Sequence, residues 1–152
     1  MIKFIKKNPA IPQRWIVLTA LACSLTTTQA QTLQAEKAFI KENMEFATKQ
    51  YSLMMQTPAQ GKNGKAIMPH SMRKDGTPSK GSIYLWTAGF FPGTLWYLSN
   101  YTGDKALQDS ALVYTHQMEP AKTFTDNHDI GFMMYCSYGN ANRFAPKASG
   151  YT

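Results

Sequence analysis

Apolar side chains return at helical spacing in the first part of the chain. Between Leu33 and about Gln56, phenylalanine, tyrosine and methionine residues recur near one face of a helix, with polar residues between them. This period is typical of an amphipathic helix. No glycine or proline interrupts the segment before Pro58. The pattern therefore predicts one helix over 33–56.

Helix boundary signals predict two further helices in the second half of the chain. A helix over about 91–101 tolerates Pro92 in its first turn and is followed by Gly103, a natural C-terminal cap. The next helix starts at Asp104, an acidic residue that suits the positive end of the helix dipole. It runs to about Met118, and the proline two residues later ends it.

A fourth helix is predicted to begin within 126–129 and to end within 139–142, with an apolar surface of isoleucine, phenylalanine, methionine and cysteine. No stretch alternates apolar and polar residues with the period of two that half-buried strands show. Successive antiparallel helices with short connections predict an all-α fold.

The stretch 57–82 is predicted to be a loop because it holds seven glycine or proline residues. It is also basic, with Asp75 as its single acid and five cations: Lys62, Lys65, Arg73, Lys74 and Lys80. A solvated surface loop explains this charge. A wall that contacts an anionic sugar is the sharper alternative.

The first 30 residues are typical of a secretory signal peptide. A basic stretch over 3–14 precedes an apolar run over 15–25, and a Thr-Gln-Ala segment ending at Ala30 is a plausible cleavage signal. The apolar run is shorter than the ~20 residues that span a bilayer. We expect a secreted or periplasmic mature chain of residues 31–152, with no stable membrane insertion after removal of the signal. Lipidation at Cys23 is the alternative.

Net charge and motif content exclude several classes of function. The chain carries a formal charge of +7, but four positive charges lie in the first 14 residues, so the mature chain keeps only +3. This charge does not indicate a nucleic-acid partner. The three histidines are isolated from one another and from ligand-spaced acids, and no phosphate loop or nucleophile elbow is present, so neither a metal nor a cofactor is predicted. After cleavage only Cys136 remains, and we expect it in the core.

The cluster of side chains best suited to catalysis is the polar segment that leads into the fourth helix. His128 and Asp129 lie where this loop meets a strongly apolar sequence. A carboxyl group at the edge of a core is suited to proton transfer. The alternative is structural, because Asp126, Asn127 and Asp129 are all good N-caps for the helix.

An aromatic segment precedes and enters the second helix. Trp86 is either core or a platform for the apolar face of a sugar ring. Trp96 and Tyr97 lie inside the helix and are predicted to be core residues.

Three segments together resemble one enzyme family. They are Trp86-Thr-Ala-Gly-Phe-Phe-Pro-Gly-Thr-Leu-Trp-Tyr-Leu98, Tyr101-Thr-Gly-Asp104 and His128-Asp-Ile-Gly-Phe-Met133. In motif, order and spacing the chain resembles glycoside hydrolase family 88, the unsaturated glucuronyl hydrolases, over about 35–145. The resemblance implies an (α/α)6 barrel around a deep pocket. It also implies a substrate, the unsaturated uronic acid that lyases leave at the non-reducing end of glycosaminoglycan fragments.

The resemblance also implies a reaction and its residues. The family hydrates the carbon 4–carbon 5 double bond: an acid protonates carbon 4, water adds at carbon 5, and the hemiketal opens to release the sugar. Asp129 matches the first of two catalytic aspartates, and His128 and Trp86 match substrate-binding residues. The second aspartate belongs to a later helix and has no counterpart here. His70 stands where many relatives have an arginine, a departure from the pattern.

Chain length bears on the predicted barrel. Twelve helices of ~11–12 residues with connections of ~4–6 need at least about 200 residues. Residues 31–152 provide about four helices. We therefore expect this segment to be the N-terminal portion of an incomplete barrel and inactive by itself. A native mass well above 17.1 kDa would indicate a longer protein, whereas a mass at or just below 17.1 kDa would mean that the cell makes only this piece.

Three alternatives to a glucuronyl hydrolase stay open. An unsaturated rhamnogalacturonyl hydrolase shares the fold and chemistry but acts on pectin fragments. A secreted carbohydrate-binding protein without catalysis would use Trp86 and nearby rings. A remnant without function is the third.

Overall fold

The computed structural model of the chain describes the backbone of residues 13–56, 65 and 67–149, and the side chains of 31–56, 65 and 67–147. Most of these residues are helical, which confirms the predicted all-α class. The elements in chain order are α1 (Gln13–Met55), β1 (Ile67–Met72), β2 (Pro78–Ser82), α2 (Phe90–Thr102), α3 (Lys105–Gln117), a 3₁₀ segment (Glu119–Thr123), α4 (Ile130–Met134), a π-helical turn (Tyr135–Gly139), α5 (Asn140–Phe144) and α6 (Pro146–Ser149).

The chain divides into two compact units, Met1–Glu42 and Asn43–Thr152. In the first unit, the side chains over 31–42 are all exposed. Residues 1–12 of the predicted signal peptide and the side chain of Cys23 lie outside the described part, so that prediction stays untested. Within the residues described, no helix is both long and apolar enough to cross a membrane.

The core belongs to the second unit, and its largest fully buried side chain is Trp96. Helix α1 contributes Met54, which is buried, and Tyr51, whose ring stacks on that of Phe91 at 5.2 Å. The prediction that Trp96 is a core residue is confirmed. The same prediction for Tyr97 is wrong, because consecutive helical residues point about 100° apart and its side chain is 48% exposed.

Local cap chemistry sets the boundary between α2 and α3 as predicted. Gly103 adopts a left-handed conformation (φ 72°) and donates its N–H to the carbonyl of Ser99 at 2.8 Å. Asp104 then accepts the N–H of Ala106 at 2.8 Å as the N-cap of α3. Both interactions need only neighbouring residues, which explains why the sequence predicts them.

Residues 67–82 form an antiparallel β-hairpin, so the loop prediction is wrong over this range; residues 57–64 and 66 lie outside the described part. The turn holds Asp75-Gly76, a strong hairpin signal, with Gly76 at φ 78°. The prolines and glycines of the segment are tolerated because both strands of a two-stranded sheet are edge strands. The ladder is irregular at His70, which has no partner in the register between Pro69 and Ser71.

Two charged residues of the basic segment stabilise the hairpin turn. Arg73 donates from Nη1 to the carbonyl of Pro78 at 2.7 Å. The hydroxyl and the N–H of Thr77 both donate to Asp75, and these bonds hold the pKa of that carboxyl below its ordinary value. Lys74 and Lys80 are exposed, as a solvated surface segment requires.

Candidate active site

Helix α2 approaches the helical run 130–144 closely because two glycines face it. A Cβ on Gly89 would lie 2.4 Å from the carbonyl oxygen of Met133, and one on Gly93 would lie 2.6 Å from that of Cys136. The four-residue spacing places both glycines on one face of the helix. The loop before α2 and the first turn of α4 are therefore neighbours.

The fourth predicted helix is present but is not a regular α-helix. The structure has a helical run over 130–144, close to the predicted range, but its middle is a π-helical turn over Tyr135–Gly139. Ser137, buried in that turn, donates its hydroxyl to the carbonyl of Met133 at 2.8 Å. Such turns are frequent at functional sites, and nothing in the sequence alone predicted this one.

Three aromatic rings form a row across the contact between α2 and α4. The ring centroids of Trp86 and Phe90 are 5.9 Å apart, and those of Phe90 and Phe132 are 5.2 Å apart, both edge to face. Trp86 is 52% exposed and both phenylalanines are 42% exposed. Trp86 is thus a surface residue, which excludes the core role that was one of its two predicted roles; its contact with a sugar stays a prediction. Phe90 and Phe132 extend that exposed aromatic surface and were not singled out from the sequence.

Asp129 occupies the N-cap position of α4 without capping it. Its backbone carbonyl accepts the N–H of Met133 at 2.9 Å, but its carboxyl group accepts no capping bond from the described backbone. The side chain is 35% exposed, and its Oδ2 lies 3.5 Å from Nε2 of His128, which is 94% exposed. The carboxyl group is therefore available at the surface beside an imidazole, and the capping alternative for Asp129 does not explain its side chain.

Asn127 joins the two segments that the sequence singled out. Its side-chain oxygen accepts the N–H of Asp129 at 2.9 Å, and its side-chain nitrogen donates to the carbonyl of Tyr84 at 3.3 Å. The sequence indicated Asn127 only as a good N-cap for the helix. The first bond is a local Asx turn that sequence can suggest, whereas the second spans 43 positions and needs the fold.

A cleft of about 280 Å³ opens between the hairpin and the start of α2. Its wall includes Phe90 of the aromatic row, the exposed His70, and Thr87, whose hydroxyl oxygen is buried with no hydrogen-bond partner among the described residues. Apolar and polar groups thus share one concave surface, which is how ligand pockets are commonly lined.

Other chemistry-bearing groups lie apart from this site. In the part of the chain that the structure describes, no three histidine, cysteine or acidic side chains come together as a metal site would need. Cys136 is half-buried on the π-helical turn, and burial raises the pKa of its thiol. It is therefore only partly the core residue that the sequence predicted.

No protein-family model matches the chain. The chain is 41% identical over 66 residues to the unsaturated glucuronyl hydrolase of Formosa agariphila, an alignment that covers 43% of this chain and 16% of the relative. It is 39% identical to a crystal structure of an unsaturated glucuronyl hydrolase specific for heparin, with a TM-score of 0.60 over 70% of this chain and 28% of that one.

The chain therefore spans about a sixth of the curated relative's length and 28% of the solved chain. Over the part that is covered, it shares the fold of an (α/α)6-barrel enzyme. These similarities confirm the resemblance to unsaturated glucuronyl hydrolases that the three sequence segments indicated.

Proposed function

We propose that this chain is part of a hydrolase that removes an unsaturated uronic acid from the non-reducing end of lyase-generated glycosaminoglycan oligosaccharides. One observation carries the proposal: the side chain of Asp129 is 35% exposed and its carboxyl group does not cap its helix, although it stands at the N-cap position. The similarity to two unsaturated glucuronyl hydrolases supports the same reaction.

Asp129 provides a carboxyl group for hydration of the carbon 4–carbon 5 double bond. In this reaction a proton goes to carbon 4, the oxygen of water bonds to carbon 5, and the resulting hemiketal opens with release of the next sugar. A carboxyl group that makes no capping hydrogen bond to its own helix can contact the reacting sugar or its water. His128 lies 3.5 Å from the same carboxyl and is almost fully exposed, which suits a contact with substrate.

The aromatic row provides a surface for the sugar ring. Trp86 and Phe132 lie on either side of Phe90, and each leaves about half of its side chain exposed. Sugar rings present apolar C–H faces that pack on such rings. Because Phe132 follows Asp129 by three residues in the first turn of α4, the row begins close to the proposed catalytic carboxyl.

The test uses the native protein as its own cells make it and compares the products of defined lyases as its substrates. Unsaturated oligosaccharides from heparin, chondroitin and pectin are offered separately, and loss of the ultraviolet absorbance of the double bond is followed. We expect loss with glycosaminoglycan products, and we expect heparin products to be accepted because the solved relative is specific for heparin. Loss only with pectin products would instead indicate a rhamnogalacturonyl hydrolase.

A matched control uses the same oligosaccharides after chemical saturation of the double bond. Binding of both saturated and unsaturated forms, without any absorbance loss, would indicate a carbohydrate-binding protein that lacks catalysis. That outcome would overturn the hydrolase proposal.

We also propose that residues 1–30 direct export to the periplasm or medium. The support is the sequence pattern alone: a basic stretch, a short apolar run and a small-residue segment that ends at Ala30. Terminal sequencing of the exported protein should begin at Gln31. A lipid-modified N-terminal Cys23 would show the lipoprotein alternative.

A further inference from the structure

Asn127 uses both polar atoms of its carboxamide in fixed contacts. The oxygen accepts the backbone N–H of Asp129 at 2.9 Å. The nitrogen donates to the carbonyl of Tyr84 at 3.3 Å and lies 3.7 Å from the sulfur of Met133. A half-buried carboxamide with both ends engaged has one orientation, so the group acts as a fixed link.

The link connects the two halves of the candidate site. On one side, Tyr84 precedes Trp86 by two residues, and its ring packs on that of Phe124 at 4.7 Å. On the other side, the Asx turn holds the backbone of Asp129 just before α4 begins. The Trp86 platform and the Asp129 carboxyl lie in turns outside the helices, where backbone position depends on such bonds.

His128 cannot take over this role, since its side chain is 94% exposed and lies 3.5 Å from Asp129. The glycine contacts between α2 and the helical run hold the helices together, but they lie one or more turns away from Asp129. The hydrogen bond from Asn127 to Tyr84 therefore fixes the loop before α4 relative to the loop before α2.

We propose that Asn127 is a positioning residue: it holds the Asp129 carboxyl at a fixed place relative to the Trp86 platform. This inference rests on the proposed hydrolase function for its kinetic consequences. Misplacement of a reacting group by about 1 Å can slow catalysis by about 100-fold, while contacts that bind the sugar persist.

The experiment compares Asn127→Ala, Asn127→Ser and Asn127→Gln in the native full-length protein, with Asn142→Ala, an exposed asparagine of α5, as the control. Alanine removes both hydrogen bonds. Serine can still accept the N–H of Asp129 but is too short to reach Tyr84. Glutamine keeps the carboxamide but displaces it by one methylene.

We expect alanine and serine to lower kcat by about 10- to 100-fold with little change in KM, because the carboxyl is misplaced while the sugar platform remains. Asn142→Ala should keep the wild-type kcat. Wild-type kcat in the serine variant would overturn the link to Tyr84. If all three Asn127 variants lost thermal stability in proportion to their loss of kcat, while Asn142→Ala did not, Asn127 would be only a structural residue. Partial recovery of kcat in the glutamine variant, relative to alanine, would support the inference.

A second measurement separates this inference from the proposed function. Amide hydrogen exchange is followed by mass spectrometry in the peptides that contain Tyr84–Trp86 and Asn127–Asp129. Faster exchange in both peptides of Asn127→Ala, without change elsewhere, supports the link even if the wild-type protein shows no hydrolase activity. Unchanged exchange in both peptides overturns the link whatever the activity.

Discussion

The backbone of Gly89 lies against the carbonyl oxygen of Met133, at a distance that leaves no room for a side chain. A Cβ at this position would lie 2.4 Å from that oxygen and 3.0 Å from the Cα of Met133. Because the obstacle is backbone, it cannot move aside as a flexible side chain would. We expect Gly89→Ala to lower the free energy of unfolding by about 1–3 kcal/mol, the usual cost of overpacking. Chemical denaturation of the native protein and the variant measures this difference.

Gly131 provides the matched control. It lies in α4, adopts an ordinary negative φ, and a Cβ there would meet nothing within 4 Å. Gly131→Ala should be neutral or stabilising by up to about 1 kcal/mol, because alanine reduces the entropy of the unfolded chain. Equal destabilisation by both substitutions would show that helix composition, rather than the contact with Met133, is responsible.

Asp129→Asn tests the proposed catalytic carboxyl. Asparagine keeps the size of the side chain but cannot exchange a proton at this site. Because the carboxyl group makes no capping bond, the thermal stability should change little, whereas hydration of the unsaturated sugar should be abolished. Loss of double-bond absorbance measures activity, and calorimetry on the same sample measures stability. A variant that melts earlier but keeps its specific activity would return Asp129 to a structural role.

The sequence predicted most of the helices because their boundaries depend on neighbouring residues. Asp104 caps α3 and Gly103 ends α2 through bonds that span two to four positions. The hairpin was missed although its Asp75-Gly76 turn signal was present: Gly76 was counted among the breakers of a loop, and Asp75 was considered only for its charge. Trp86 and Asp129 were singled out as candidate site residues from their positions beside apolar helices, and their roles stay predictions.

Long-range contacts explain what could not be predicted. The bond from Asn127 to Tyr84 and the approach of Gly93 to Cys136 both join residues more than 40 positions apart. Asparagine in a polar loop and glycine in a helix have many ordinary explanations, so neither residue indicates its partner. The aromatic row has the same origin, since Phe132 meets Phe90 only after the helices have packed.

Because a buried hydrogen bond joins α2 and α3, two Thr→Val substitutions should differ in how far they lower the free energy of unfolding. Nε1 of Trp96 donates to the hydroxyl of Thr115 at 2.9 Å, and that hydroxyl donates to the carbonyl of Ala111. Thr115→Val keeps the shape but leaves the indole N–H buried without a partner. We expect a loss of about 1–3 kcal/mol in the free energy of unfolding. Urea denaturation followed by tryptophan fluorescence measures it.

Thr48→Val is the control for this experiment. Thr48 also donates its hydroxyl to a carbonyl four residues earlier, that of Met44, but it is only partly buried. Its replacement should change the free energy of unfolding by less than about 0.5 kcal/mol. Similar losses in both variants would assign the effect to the helix bond rather than to the indole.

Burial of Cys136 predicts slow thiol chemistry. Burial raises the pKa of the thiol, so at a given pH near 8 the folded protein holds less thiolate than an unfolded chain. Alkylation by iodoacetamide should therefore be slower than that of a short unstructured peptide with the same local sequence. The rate should keep rising with pH beyond the point at which the peptide levels off. In denaturing urea, both rates should coincide, and a persistent difference would mean that local sequence rather than burial is the cause.

Replacement of Trp86 tests how much the affinity for substrate depends on the aromatic row. A sugar that packs on the indole loses this surface in Trp86→Ala, whereas Asp129 stays in place through Asn127. KM should therefore rise about tenfold, equivalent to about 1.4 kcal/mol of binding free energy, with a smaller change in kcat. Tyr101→Ala, which removes a similarly exposed ring at the far end of α2, should leave KM unchanged. Initial rates on a defined unsaturated disaccharide distinguish the two variants. If both variants raise KM equally, general loss of exposed aromatic surface explains the effect, and Trp86 is not the sugar platform.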